Sequence, residues 1–248
     1  MRNLLVFGTL LFMFSCKKDN DSSNSNTVIE NPLVCNATNV FNSSLTYGTL
    51  KDINGNAYKT IQIGGKNWMA ENLKATKYKN GNPITNITDK TQWASTTTGA
   101  YCSYNNDPIN DCPYGKLYNW YAVANSNGLC PTGWHVSTDA EWTDLVNDIG
   151  GSTNSGNKMK SEGTQYWLSP NQGATNSSGF SGLPGNSRTL NGDFSSSSVR
   201  GSFGTWWSST ETETGAEAWD RVLRYDNSNL LRLSGNKAAG FTVRCVED

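Results

Sequence analysis

Small polar residues and large aromatic residues dominate this chain and restrict what it can fold into. It contains 24 glycines, abundant Asn, Ser and Thr, and nine tryptophans, whereas charged residues make up only 17% of the sequence. Gly, Asn and Ser favour turns because they accept left-handed backbone or hydrogen-bond the nearby main chain. Large aromatic side chains each bury much apolar area. The composition therefore predicts a loop-rich extracellular domain whose core depends on a few large aromatic residues.

The first 21 residues have the pattern of an export signal. Arg2 precedes the apolar run 4–14, which is shorter than the roughly 20 residues that span a bilayer. Ser15, a small residue, and Cys16 come next, in the order expected of a secretory signal. A cysteine directly after the small residue resembles the lipid-attachment site of a bacterial lipoprotein.

Lipidation of Cys16 would anchor the mature protein in the outer membrane. The lipid of that membrane is therefore one expected partner. The predicted organisation is a signal peptide over residues 1–15, a flexible polar tether over 16–49 and a folded domain over 50–248. The charged stretch 17–21 resembles an export mark of Bacteroidetes lipoproteins and predicts a position facing the cell exterior. Met13 and Phe14 are bulkier than usual before a lipidated cysteine. Simple secretion and an unusual membrane anchor therefore stay open as alternatives.

The charge of the mature chain is nearly balanced. Removal of Arg2 with the signal leaves 19 basic and 21 acidic residues among about 230. A chain so close to neutrality does not attract nucleic acid or a membrane surface over a long range. We expect no nucleic-acid partner.

Five cysteines follow the lipid-attachment residue, which fits an oxidising compartment and leaves one of them unpaired. We expect Cys130 to pair with Cys245, which would close a long loop. We also expect Cys102 to pair with Cys112 across a short loop. Cys35 would then be free. Spacing alone does not decide the connectivity.

Two helices are predicted. Residues 114–125 place four apolar side chains at helical spacing. The second helix begins at a capping box formed by Thr138 and Glu141, has an apolar stripe from 142 to 149, and ends at Gly150-Gly151. Asn54-Gly55 predicts a turn before a strand. The predicted strands are 58–63, 67–69, 205–209, 218–225, 230–233 and 240–246, and residues 151–204 are predicted to be irregular.

Six segments together resemble the Fibrobacter succinogenes major paralogous domain, a family of bacterial surface and secreted proteins. The resemblance covers about residues 50–248. It implies an α+β, C-type-lectin-like domain related to the sulfatase-modifying enzymes, with two helices, a small twisted antiparallel sheet and long loops. It brings no established activity and no catalytic residues. The segments are 52–60 (DINGNAYKT), 67–73 (NWMAENL), 114–122 (YGKLYNWYA), 130–136 (CPTGWHV), 206–210 (WWSST) and 240–245 (GFTVRC).

The sequence offers little for catalysis. His135 is the single histidine, and its place between Trp134 and the capping box predicts a structural, hydrogen-bonded role. Zinc at Cys102 and Cys112 would lack further ligands. The sulfatase-modifying relatives use redox cysteines near the C-terminal sheet, where this chain has only Cys245. We therefore predict no catalytic residues and no enzyme.

Two acidic patterns keep other functions open. Four carboxylates could serve a glycan hydrolase, although a solvated acidic loop is the simpler interpretation. They are Glu211, Glu213, Glu217 and Asp220. Residues 52–56 resemble a calcium loop without its final bidentate Glu, and a hairpin turn is preferred there. No cofactor or metal is predicted, with calcium the alternative.

Trp206 and Trp207 are the strongest indication of ligand binding. Neighbours in a strand point to opposite faces, so both rings cannot enter one core. Either one ring is displayed to stack on a sugar or anchor a protein, or both lie between sheet and loops. The predicted function is a surface-anchored, non-enzymatic binding or adhesion module for a glycan or protein ligand, with loops 152–204 in contact with that ligand. The alternatives are a cell-surface enzyme acting on polysaccharide and a structural envelope protein.

Overall fold

The described part of the chain is α+β, as predicted. The computed structural model describes residues 37–195 and 200–248, and the signal peptide, Cys16 and Cys35 lie outside these ranges. Within them are five short helices and three small open sheets. No helix in these two ranges is both long enough and apolar enough to cross a membrane.

The strands and helices are short, as expected for a chain rich in turn residues. The strands are β1 (Gly48–Lys51), β2 (Ala57–Ile63), β3 (Lys66–Met69), β4 (Thr85–Asn86), β5 (Ala100–Cys102), β6 (Leu117–Asn119), β7 (Trp134–Val136), β8 (Phe203–Glu211), β9 (Glu217–Arg224), β10 (Leu231–Asn236), β11 (Gly240–Phe241) and β12 (Cys245–Glu247). The helices are α1 (Lys90–Ser95), α2 (Asp111–Tyr114), α3 (Trp120–Val123), α4 (Asp139–Asp148) and α5 (Ser155–Met159).

The sheets bring distant parts of the chain together. The first has the order β1-β2-β3-β12-β7, so the last strand lies between early ones, with Val246 paired to Trp68 on one side and to His135 on the other. The second is the antiparallel sheet β10-β9-β8. The third has the order β11-β6-β5-β4, in which β4 and β5 are parallel.

Elements with strong local signals form where they were predicted. Gly64 and Gly65 both have positive φ, which allows the tight turn between β2 and β3. The Thr138 hydroxyl accepts the Glu141 N–H, and the Glu141 carboxylate accepts the Thr138 N–H, so the predicted capping box opens α4.

The helix predicted over residues 114–125 is wrong. Gly115 has φ 78°, which breaks a helix, and residues 117–119 form strand β6 between β5 and β11. Only α3 is helical in this segment, and Asn119 caps it by accepting the Ala122 N–H at 3.0 Å. Pairing in the third sheet overrides an apolar spacing that suited a helix.

The folded domain begins earlier than residue 50. Val40 is buried, and Phe41, Leu45 and Tyr47 pack against the core. Residues 37–49, predicted as the end of the tether, are therefore part of the domain. They return over the long irregular segment, where Asn176 Nδ2 donates to the Val40 carbonyl.

Two large hydrophobic clusters lie on opposite sides of β8. One contains Trp206 together with Trp68, Trp142 and Phe180. The other contains Trp207 with a different set of side chains, including those of the cysteines at 130 and 245. A third, smaller cluster surrounds Trp93. The tryptophans thus hold together a domain with little regular structure.

A buried lysine fixes the irregular segment to the second sheet. Lys160 is fully buried, and its ammonium group donates to the carbonyls of Gln172, Arg224 and Asn227 at 2.9, 3.0 and 2.9 Å. Three carbonyl acceptors match the three protons of an ammonium group. This arrangement holds the loop that carries residues 162–165.

The long-range disulfide is present and the short-range one is not. Cys130 and Cys245 are bonded across 115 residues. Cys102 is a free thiol buried in the third cluster, and Cys112 is itself disulfide-bonded, so their predicted pairing is wrong. The prediction that Cys35 is free lies outside the described residues.

Candidate functional site

The predicted ligand-binding tryptophans are both in the interior. Trp206 and Trp207 have no exposed surface. The Trp206 indole N–H donates to Asn72 Oδ1 at 2.7 Å, and the Trp207 indole N–H donates to the Tyr118 carbonyl at 2.9 Å. The rings do point to opposite faces, but each face has its own core. Of the two alternatives, burial of both rings is confirmed and a displayed ring is wrong, so Trp206→Ala or Trp207→Ala would report on folding rather than binding.

The acidic cluster does not converge on a common site. Glu211 pairs with Lys237 at 3.0 Å, and Glu217 accepts the Ser234 hydroxyl at 2.6 Å. Asp220, three residues after Glu217 in β9, points to the other face of the sheet and is buried.

His135 is part of a surface network. Its Nδ1 lies 2.7 Å from Asp248 Oδ1, and its Nε2 lies 3.0 Å from the Glu141 carboxylate. The same carboxylate forms an ion pair with the Lys66 ammonium group. These partners fit the structural role that was expected. In residues 37–195 and 200–248, no three His, Cys, Asp or Glu side chains are placed to hold a metal ion.

A polar cleft lies where the start of the domain meets the long irregular segment. We call it the amide cleft, and its volume is about 500 Å³. Its lining is made of amide, hydroxyl and small side chains with one aromatic ring and one carboxylate. The lining residues are Asn39, Val40, Phe41, Asn42, Ser43, Ser44, Glu162, Gly163, Thr164, Gln165 and Asn176.

Local turn chemistry shapes the first wall of the cleft. Asn39 has φ 59°, a left-handed conformation that Asn tolerates. Asn42 Oδ1 then accepts the Ser44 N–H at 3.0 Å and closes an Asx turn. The ring of Phe41 is held in place by Tyr47, 5.3 Å away, and by the Lys59 ammonium at 4.4 Å.

Hydrogen bonds join the two walls. Asn39 Nδ2 donates to Gln165 Oε1 at 3.3 Å, and Asn42 Nδ2 donates to the Asn176 carbonyl at 3.2 Å. Asn176 is buried at the base and accepts the Ser181 N–H. The cleft therefore has a fixed base and an exposed rim of Asn39 and Gln165. The predicted domain bounds and strands did not indicate this cleft, because its two walls are more than 115 residues apart in the sequence.

Comparison with known proteins places the chain among its relatives. The profile of the Fibrobacter succinogenes major domain matches residues 61–247. This protein belongs to the Fibrobacter succinogenes major domain family. No curated protein and no solved structure matches it.

Three of the six segments that carry the resemblance to the Fibrobacter succinogenes major domain meet in the interior. Asn72 Oδ1, from the second segment, accepts both the Trp206 indole N–H and the Arg244 Nε, the latter at 2.6 Å. Arg244 is fully buried and also donates to the carbonyls of Met69, Phe180 and Ser181. This network joins residues 67–73, 206–210 and 240–245 in the interior, and the described lining of the amide cleft belongs to none of the six segments.

A buried carboxyl group makes the domain sensitive to pH. Asp220 is 2% exposed, and its Oδ1 has no hydrogen-bond partner in the described part of the chain. Burial raises the pKa of Asp220 from 3.8 to about 7, with Arg221 opposing the shift and Glu217 adding to it. The folded state therefore holds a proton that the unfolded chain releases above pH 4.

We expect the free energy of unfolding to fall as the pH rises from about 4 to about 7 and then to level off. The full loss is about 4 kcal/mol, since each unit of pKa difference corresponds to about 1.4 kcal/mol. Chemical denaturation between pH 4 and pH 8 measures the slope. Asp220→Asn removes the ionisable group and should flatten this part of the profile relative to the unmodified protein. Profiles that stay parallel would contradict the assignment.

Proposed function

We propose that this protein is a non-enzymatic, surface-anchored lipoprotein that binds a glycan through the amide cleft. The observation that carries the proposal is the chemistry of the cleft lining. Asn and Gln side chains offer a donor and an acceptor together, and Ser and Thr hydroxyls do the same. A sugar hydroxyl also donates and accepts, so this lining complements a saccharide better than an apolar or strongly charged ligand.

The charge of the cleft favours a neutral sugar. Among the described residues that line it there is no lysine or arginine, and Glu162 is the single carboxylate. Glycoside hydrolysis generally uses a pair of carboxylates on either side of the scissile bond. A single exposed carboxylate supports binding without turnover. Phe41 offers an apolar wall for the C–H face of a sugar ring.

The proposed location rests on the N-terminal sequence and on the disulfide chemistry. Cys16 would carry the lipid, and the polar residues that follow it would give the domain reach from the outer membrane, towards the cell exterior. Disulfides persist in oxidising compartments, which supports a position outside the cytoplasm. A C-type-lectin-like arrangement is our proposal for the finer fold, supported by small sheets combined with a long irregular segment.

Binding should depend on the exposed rim of the cleft. The full chain is screened on an array of neutral and acidic glycans, and the best ligand is titrated by calorimetry. In Asn39→Ala/Gln165→Ala, two hydrogen-bonding side chains are lost at about 1 kcal/mol each, which predicts roughly 30-fold weaker binding.

A second amide pair provides a matched control. Asn80 Nδ2 donates to Asn127 Oδ1 at 2.8 Å, also on the surface but outside the amide cleft. Asn80→Ala/Asn127→Ala should leave the affinity within twofold of the unmodified protein. An array without any retained glycan, or equal losses in the two double variants, would refute glycan binding at this cleft.

A further inference from the structure

Three lysines differ from the other lysines and arginines that the structure describes. Arg2, Lys17 and Lys18 lie outside the described residues, which leaves 17 of the 20 lysines and arginines. Within residues 37–195 and 200–248, fourteen of these have a carboxylate, carbonyl or aromatic partner. The three without such a partner are Lys51, Lys77 and Lys79.

The three unpartnered lysines surround one pocket. We call it the lysine pocket. It has a volume of about 260 Å³ and is lined by Lys51, Asp52, Ile53, Ala75, Lys77, Lys79, Leu129, Cys130, Pro131 and Thr132. Lys77 and Lys79 are exposed on either side of the buried Tyr78, Lys77 in a bridge with Pro83 and Lys79 in the turn that follows. Lys51 ends strand β1.

The described lining of the lysine pocket contains one carboxylate, Asp52, whose oxygens bond within the neighbouring turn and form no ion pair with these lysines. Asp52 Oδ1 accepts the N–H groups of Asn54 and Asn56, each at 2.9 Å. Its Oδ2 accepts Asn56 Nδ2 at 2.8 Å and the Tyr58 hydroxyl at 2.7 Å. Asp52 is buried, and all of these bonds serve the turn before β2. This geometry forms the turn that was expected over residues 52–56.

The backbone around Gly128 holds Lys79 over the pocket. The Lys79 N–H donates to the Gly128 carbonyl at 2.8 Å. Gly128 has φ 73°, and a Cβ there would lie 2.5 Å from Lys79 Cε, so the lysine stem lies directly against the glycine. Apolar atoms of Leu129 and Pro131 form the neighbouring wall. A low-dielectric wall strengthens the attraction between a cation and an anion.

We propose that the lysine pocket binds a phosphate, sulfate or carboxylate group carried by a larger ligand. Three ammonium groups against one carboxylate leave the described lining with an excess of positive charge, which raises the local potential and which an anion relieves. The remainder of the ligand would extend along exposed Ile53 at the rim. This site is separate from the amide cleft and does not depend on glycan binding there.

The test uses four probes with the full chain in 50 mM and 300 mM salt. They are inorganic phosphate, a sulfated oligosaccharide, an oligogalacturonate and phosphatidylglycerol vesicles. We expect at least one of them to bind more weakly at high salt, because the contact is ionic. In Lys77→Gln/Lys79→Gln, its Kd at low salt should rise at least tenfold.

A charge-matched variant separates the pocket from the overall field. Lys90 and Arg224 are exposed, and each pairs with a surface carboxylate. Lys90→Gln/Arg224→Gln removes the same charge and should change the Kd less than twofold. Loss of vesicle binding alone in the pocket variant would identify a lipid headgroup as the anion, and loss of oligosaccharide binding would identify an acidic glycan. Failure of all four probes to bind, or equal losses in both double variants, would overturn the proposal.

Discussion

Arg244→Met should lower the free energy of unfolding by about 5 kcal/mol, or prevent folding. Removing one partner from a buried charged network leaves acceptors without donors, at about 1–3 kcal/mol for each group. Three carbonyls, those of Met69, Phe180 and Ser181, would lose their Arg244 donor. The measurement is urea denaturation of the purified chain.

Charge alone does not explain the role of Arg244, and Arg244→Lys tests this. An ammonium group cannot reproduce the planar fork that reaches Asn72 and three carbonyls in different directions. We expect Arg244→Lys to lose more than half of the stability lost in Arg244→Met. Arg224→Met is the control, since this arginine is half exposed and its guanidinium pairs with the surface carboxylate of Asp226, a contact worth about 0–1 kcal/mol. Similar losses in Arg224→Met and Arg244→Met would disprove the network's importance.

Local chemistry made parts of the fold predictable. Helix α4 was predicted correctly because its capping box and terminal glycines act within a few residues of one another. The helix predicted over 114–125 was wrong because pairing with distant strands, and not the apolar spacing, decides the conformation of residues 117–119. Gly115 and Asn119 were the available signals: one favours left-handed backbone and the other is a preferred N-cap.

The tryptophan pair shows how a correct rule can lead to a wrong site. Alternation along β8 does send Trp206 and Trp207 in opposite directions. The sequence does not reveal that a second hydrophobic cluster covers the other face, because that cluster is assembled from distant segments. A displayed ring was one of the two alternatives, and the second core excludes it.

The candidate binding sites could not be predicted because each depends on long-range packing. Asn39 and Gln165 meet only because the chain before β1 folds back over the irregular segment. Lys51 lies in the same pocket as Lys77 and Lys79 because the turn at Asp52 and the chain near Cys130 line that pocket too. Only the amide-rich composition of the loops indicated what kind of surface they would present.

Removing the Cys130–Cys245 disulfide should cost about 4–5 kcal/mol, because the bond closes a loop of more than 100 residues. In the chain-entropy account, the crosslink limits the conformations of the unfolded chain. For a chain of this size the melting temperature should fall by roughly 10–18 °C. Thermal denaturation of Cys130→Ala/Cys245→Ala, followed by circular dichroism, measures the shift.

The double variant is more informative than a reducing agent. Cys112 is also disulfide-bonded, so a thiol reagent would break more than one crosslink. Cys102→Ala provides the matched control, because this thiol is equally buried but free. It should lose only about 1 kcal/mol for the small cavity. If Cys102→Ala and the double variant melt together, the side-chain volume rather than the crosslink stabilises the domain, and the account of a disulfide-braced framework fails.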